Sequence, residues 1–251
     1  LVVKRELDAK LKVGRAREHL DSLKRGLAAF RESNPCSVFR EEDVEHQRYR
    51  LRIEVKEYPV RIALIVGDLF YCLRCALDQM VFALAKGDKA VYPVGTQFPI
   101  IERLNSKGRR EFERYTAGIP AEALDVIDAL QPYRRADGAP ATTNLLWCLN
   151  LMCNIDKHRR IPVHSEVAII NFPKFPQAQR HLLTFEDDNT VVSGPLSMKD
   201  EMAFDPTGSF QVVFGDSKEG IEMGLDRIEQ IHDLVANKVI PSLSRFFEQV
   251  A

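Results

Sequence analysis

Two runs of the sequence carry side chains that could do proton chemistry. In LWCLNLMCNIDKHRR, residues 146–160, Asn150, Asn154 and His158 recur at successive helical turns, with Trp147 on the same stripe and Lys157 at its edge. Histidine titrates near neutrality, so His158 is a candidate general acid or base, and Lys157 beside it a candidate anion-binding charge. An imidazole in that role needs a partner to orient it. Asp68, in GDLFYCLRCALDQ at residues 67–79, is the candidate carboxylate. On that second run Arg61, Asp68, Cys72, Cys75 and Gln79 fall within about 60° of one another at helical pitch. Arg74 and Asp78, four residues apart, lie on an adjoining face at a spacing that permits an ion pair. The same arithmetic turns Asp156 and Arg159 away from the His158 stripe.

The central expectation is that the two stripes face each other or face a shared pocket. Buried polar groups must find partners or cost a few kcal/mol each. Two readings therefore stand side by side. In one, Asp68, Asn154 and His158 satisfy one another and fix the register of a core. In the other, His158, Lys157 and Asp68 form a catalytic group, with Asn150, Asn154, Gln79, Arg74 and Asp78 as ligand-binding residues. The C-x-x-C pair Cys72/Cys75 raises zinc or thiol redox chemistry. Only one such pair is present, and it lies mid-helix rather than at a helix start, where the dipole would lower a thiol pKa. The expectation is no metal and no cofactor. The chain also lacks a phosphate-cradling glycine loop, G-x-S-x-G, H-E-x-x-H and an EF-hand loop.

These residues need elements to hold them. Residues 2–33 place Leu7, Leu11, Leu20, Leu23 and Leu27 at helical spacing and predict a long amphipathic helix. YRLRIEV alternates apolar and charged residues and predicts a strand near 48–56. Pro59 opens a second helix over 59–85, stopped by Gly87. A loop around YPVGTQFPI is followed by shorter helices near 106–116 and 120–131, and by a helix over 142–160 that Pro162 ends. The runs HSEVAIINF, HLLTFED, TVVSG and FQVVFG, between about 162 and 215, predict a small antiparallel sheet that the earlier strand can join. A closing helix over 220–250 carries Pro241 as a site for a kink. The fold expected is α+β: a single domain, residues 1–251, built as an up-and-down antiparallel helical bundle with an inserted small antiparallel β-sheet.

Composition bounds the partners. With 35 basic and 36 acidic residues in 251, no global field favours nucleic acid or an anionic membrane. Residues 60–85 are long enough to span a bilayer, but Arg61, Asp68, Arg74 and Asp78 lie within them, each costly in hydrocarbon. Five cysteines without framework spacing read as reduced thiols, so a soluble, cytoplasmic protein is expected.

The motifs GD…LR.ALD at 67–78, TQFPI at 96–100, LQPY at 130–133 and LW.L..L.NIDKHR at 146–159 together resemble a widespread family of bacterial proteins whose function is undetermined. The resemblance covers about half the chain and implies a bacterial origin but no particular activity; the leading expectation is a binding or assembly protein with an internal polar site between the two core helices. Typical members carry His-Asn at the positions of Tyr71 and Cys72, Ser at Cys75, His at Gln79 and often His at Asn150. Asp68, Arg74, Asp78, Asn154, Lys157, His158 and Arg159 match, which adds Arg159 to the candidate ligand-binding set. The bundle with its K-H-R element is also similar, more loosely, to HEPN-type helical proteins, many of them ribonucleases of toxin or phage-defence systems. That likeness implies a metal-independent ribonuclease working across a homodimer, with RNA as substrate. Arg227 and His232, matching Arg-x4-6-His, or Lys157 and His158, would then supply phosphate binding and proton transfer. Arg40/His46 and Arg159/His164 match the same spacing.

Overall fold

A computed structural model describes residues 2–86, 95–136, 138–167, 174–186, 191–202 and 210–248. The expected α+β architecture is present, combining helices with small antiparallel sheets. It takes the form of two compact units. One comprises Leu1–Lys24, Ala63–Pro162 and Gly215–Ala251; the other comprises Arg25–Ile62 and Val163–Phe214.

Helix α1 (Val2–Glu32) buries Ala9, Ala16, Leu20, Leu23, Leu27 and Phe30, a seam at spacings of three, four and seven. Leu7 and Leu11 stay exposed, because small Ala9 and Ala16 occupy the seam at that end. Helix α2 (Val60–Lys86) starts where the Ile62 N–H donates to the Pro59 carbonyl at 2.9 Å. Its Val66, Leu69, Phe70, Leu73, Ala76 and Leu77 are fully enclosed. The Gly87 stop lies outside the described residues. Among the described residues no helix is long and apolar enough to cross a membrane.

In the helical unit the Asn105 side chain caps α3 (Ser106–Tyr115) by accepting from the Gly108 N–H at 2.9 Å. A β-carbon at Gly108 would fall 2.2 Å from the Arg103 carbonyl oxygen, so only glycine fits there. Helix α4 (Ala121–Ala129) follows. Helix α5 (Leu145–His158) is capped by Asn144, which accepts from the Trp147 N–H at 3.0 Å. It is shorter than the predicted 142–160. Residues 141–143 form a separate 3-10 turn, and Arg159 is already extended.

The second unit holds a hairpin of β1 (Cys36–Asp43) and β2 (Arg48–Val55), extended by β5 (Val191–Pro195) and β4 (Thr184–Glu186) in the order β1-β2-β5-β4. The early strand therefore joins the later ones, through Leu51 opposite Val192. Tyr49, Leu51 and Ile53 are buried and the charged residues between them exposed, as the alternation predicts. They pack with Val192, Phe175 and Met202 into a small core. Strand β3 (Val163–Val167) pairs antiparallel with β6 (Phe210–Asp216). The remainder of the HSEVAIINF run, from residue 168, lies outside the described residues.

The closing segment differs from a single helix over 220–250. Ile221–Met223 is a strand, β7, in which Ile221 and Met223 are buried and Glu222 exposed. Alternation outweighs helical propensity over three residues next to Gly220 and Gly224. Helix α6 (Leu225–Asp233) then passes through a π-helical stretch, Leu234–Val239, into α7 (Ile240–Glu248). Pro241 has no N–H and its ring would crowd the carbonyl one turn back; the wider π turn just before it accommodates both demands.

Candidate functional site

Helices α2 and α5 approach closely at Gly67. A β-carbon there would fall 2.3 Å from Oδ1 of Asp156, so the missing side chain is what lets the Asp156 carboxylate lie against the α2 backbone. This contact sets the rotation of α2. The face turned to α5 runs through Gly67, Tyr71, Arg74 and Asp78, at spacings of four, three and four. It adjoins the stripe of Asp68, Cys72 and Gln79.

Arg74 and Asp78 form the expected ion pair, with Arg74 Nη2 3.0 Å from Asp78 Oδ1. Together they hold one residue of the loop between α2 and α3. Arg74 Nη2 donates to the Phe98 carbonyl at 2.7 Å, and Asp78 Oδ1 accepts from the Phe98 N–H at 2.9 Å. Phe98 itself is fully buried. The next turn of the loop is held by Gln131, only 1% exposed. Its Oε1 accepts from the Ile101 N–H at 3.0 Å, and its Nε2 donates to the carbonyls of Pro99 at 2.9 Å and Ile127 at 3.0 Å. The Trp147 indole N–H donates to Glu102 Oε2 at 3.1 Å, and Arg135 Nη1 to the Glu102 carbonyl at 3.1 Å. The motifs LR.ALD, TQFPI, LQPY and LW thus converge on the single loop of residues 97–102.

Beside this clamp is a cavity of about 380 Å³, bounded by α2, α3, α5 and the clamped loop. That is within the size range of small-molecule pockets, roughly 300–1,000 Å³. Its charged lining consists of Arg74 and Asp78 from α2, Glu111 from α3, and Asp156 and Lys157 from α5, with Asn150, Asn154 and Gln97 as neutral polar groups. Burial raises the Asp78 carboxyl above its ordinary range, although Arg74, the Phe98 N–H and Lys157 all pull it down. Burial, followed by the neighbouring Asp68 carboxylate, raises Asp156. The Cys153 thiol, also in the lining, is pushed up to about 12 by burial and stays protonated.

No family model, curated protein or solved structure matches this chain.

The candidate residues are thereby divided. Arg74, Asp78, Asn150, Asn154 and Lys157 line the cavity. His158 and Asp68 do not. Both are exposed, and no hydrogen bond joins them. His158 is the last residue of α5, where the helix has left the packed region, and Asp68 lies one position around α2 from the face that meets α5. A catalytic group of His158, Lys157 and Asp68 therefore does not assemble inside the helical unit. Gln79 is half-buried with Oε1 enclosed and unpartnered, and does not line the cavity. Arg159 reaches Glu219 at 2.7 Å and Asp216 at 3.4 Å on the surface. His232 is buried, its Nδ1 3.1 Å from Asp233 Oδ1 and its Nε2 without a partner. Arg227 is spent on backbone, its Nη2 donating to the carbonyls of Thr142 at 2.7 Å and Thr143 at 3.1 Å. Among the described residues no group of three or more His, Cys, Asp or Glu side chains converges as metal ligands would.

Asp156, Glu111 and Gln131 are absent from the candidate set. The signal for Asp156 was Gly67: a glycine inside an otherwise strongly helical run marks a close approach, and what approaches it is an α5 side chain.

Proposed function

We propose that this chain is a bacterial, cytoplasmic small-molecule binding protein, a member of the family its motifs resemble, with the cavity of the helical unit as its site. One observation carries the reading. Arg74 Nη2, Asp78 and Gln131 hold the loop that walls the cavity, whereas Arg74 Nη1 is enclosed without a hydrogen-bond partner and Asp156 in the lining has no hydrogen-bond or ion-pair partner among the described residues. A partly enclosed carboxylate without a partner lowers stability and is characteristic of a position reserved for a ligand.

A carboxyl whose folded pKa is raised contributes its stability below the unfolded pKa, and loses it as the pH rises through the folded value. Asp156→Asn therefore leaves the ligand-free protein as stable as the wild type or more so at neutral pH, while ligand binding is lost. Thermal unfolding of wild type, Asp156→Asn and Lys157→Ala against amino acids, polyamines, dicarboxylates, sugars and nucleosides tests this. A ligand at about 100 times its Kd adds about 2.7 kcal/mol to wild type alone. A wild-type Tm that none of these classes raises would rule the reading out, as would an Asp156→Asn protein that is itself severely destabilised.

RNA cleavage by Arg227 and His232 would need both side chains in an open cleft. The enclosure of His232 and the commitment of Arg227 to carbonyls weigh against it. Mixed single-stranded RNA is expected to survive incubation with the protein; cleavage that disappears in His232→Ala would reverse that judgement.

A further inference from the structure

We infer that the ligand of this cavity is a free cationic α-amino acid, one carrying an α-carboxylate, an α-ammonium and a positively charged side chain. The inference rests on the binding-protein reading above and names its ligand class.

Within the lining, Arg74 and Asp78 cancel in formal charge through their ion pair, and Arg74 Nη2 and Asp78 Oδ1 are further held by the backbone of Phe98, while Arg74 Nη1 is enclosed without a partner and offers a donor to a carboxylate. The charges left over are one cation, Lys157, and two carboxylates, Asp156 and Glu111. Lys157 has only a 3.5 Å contact from its Nζ to Asn154 Oδ1, and Glu111 only a 3.9 Å approach from exposed Lys107, among the described residues. Asp156 has no such partner. The complement of one positive and two negative groups is a ligand with one negative and two positive groups.

The placement of the charges selects among such ligands. Asp156 and Lys157 are consecutive on α5 and are not joined to each other in an ion pair. A neighbouring anion and cation match an ammonium and a carboxylate borne on one carbon, as in an α-amino acid. The Asn154 amide, about one helical turn before Lys157 on the same wall, and Asn150, about two turns before it, offer further donors along that wall. Glu111 comes from a different wall, α3, and matches a second cation at the far end of the side chain. A diamine would leave Lys157 facing a like charge, a dicarboxylate would oppose Asp156 and Glu111, and a neutral amino acid would leave Glu111 without a counter-ion.

Titration calorimetry on the full chain separates these cases, with L-arginine and L-lysine as probes. The comparison ligands are agmatine and cadaverine, which lack the carboxylate, and L-glutamine and L-glutamate, which lack the side-chain cation. Arginine or lysine is expected to bind, and loss of either the carboxylate or the distal cation to weaken binding about tenfold or more. Lys157→Ala should weaken arginine binding while leaving agmatine unchanged. Glu111→Gln should erase the preference for arginine over glutamine. Lys157 is exposed and Glu111 partly exposed, and unfolding midpoints within a few degrees of wild type, about 2–4 °C, verify that both variants fold. If a dicarboxylate, sugar or nucleoside binds instead, and Lys157→Ala abolishes that binding, the amino-acid assignment falls and the binding-protein reading stands. If no compound in either panel binds, both fall.

Discussion

Arg74→Met is expected to destabilise the protein by about 3 kcal/mol, the low end of the cost of breaking a buried ion pair. Methionine keeps the apolar stem but removes both bonds made by Nη2, to Asp78 and to the Phe98 carbonyl. Arg74 is 11% exposed and Asp78 35%, so the stranded carboxylate recovers part of its hydration and the loss stays short of the full penalty. The variant also has a pH signature. Asp78 is already raised by burial, and without Arg74 it is raised further. Since a raised carboxyl stabilises the fold in its protonated form, the gap between wild type and Arg74→Met narrows as the pH falls towards the acid range. Asp78→Asn keeps an acceptor for the Phe98 N–H but leaves the more deeply buried Arg74 guanidinium without its counter-ion, so it should cost about as much and show no narrowing at acid pH. Urea unfolding at neutral and acidic pH measures all three proteins. A loss below about 1 kcal/mol in Arg74→Met, or a gap for that variant independent of pH, would show that the pair does not hold the loop.

Gln131→Leu should cost a similar amount, about 3 kcal/mol, for a different reason. No charge is involved. The substitution leaves the Ile101 N–H and the carbonyls of Pro99 and Ile127 facing an apolar side chain in a region closed to water. Gln131→Glu retains the acceptor for Ile101 but removes both donors and buries a charge, so it should be no better tolerated. Because Arg74 and Gln131 hold neighbouring residues of one loop, the double variant should lose less than the sum of the single losses: once the loop is released, the second clamp has little left to hold. Hydrogen exchange at the Ile101 amide provides an independent readout and should accelerate in Gln131→Leu. Unchanged protection there, or strict additivity, would separate the two clamps.

These two residues also show what kind of information the sequence carries. The Arg74/Asp78 pair was legible because i and i+4 on a helix are neighbours whatever the rest of the chain does. The alternation in YRLRIEV was legible for the same reason: a strand's two faces are set by local geometry, and Tyr49, Leu51 and Ile53 are indeed the buried ones. The α+β class and the main helices followed from such periodicities. Gln131 was visible only as part of a motif, because its partners lie 30 and 32 residues away for Ile101 and Pro99. Strand β7 and the π stretch before Pro241 were hidden for the opposite reason, being too short to show a period of their own.

Which residues line the cavity turned on one rotation. Helical pitch places Asp68, Cys72, Cys75 and Gln79 on one stripe of α2, the stripe that carries most of the polar residues. In the tertiary structure the adjoining face of Gly67, Arg74 and Asp78 meets α5 and the cavity, with Cys75 the one member of the polar stripe in the lining; a β-carbon at Gly67 would collide with the Asp156 carboxylate. That rotation brings Arg74 and Asp78 to the cavity, leaves Asp68 in solvent, and makes Asp156 part of the lining. His158 stayed outside because α5 ends with it. Sequence alone determined which residues share a face of each helix, since that depends on pitch. Which face meets which was decided by the packing of α2 against α5, where the absence of one β-carbon outweighed the pattern of polar side chains.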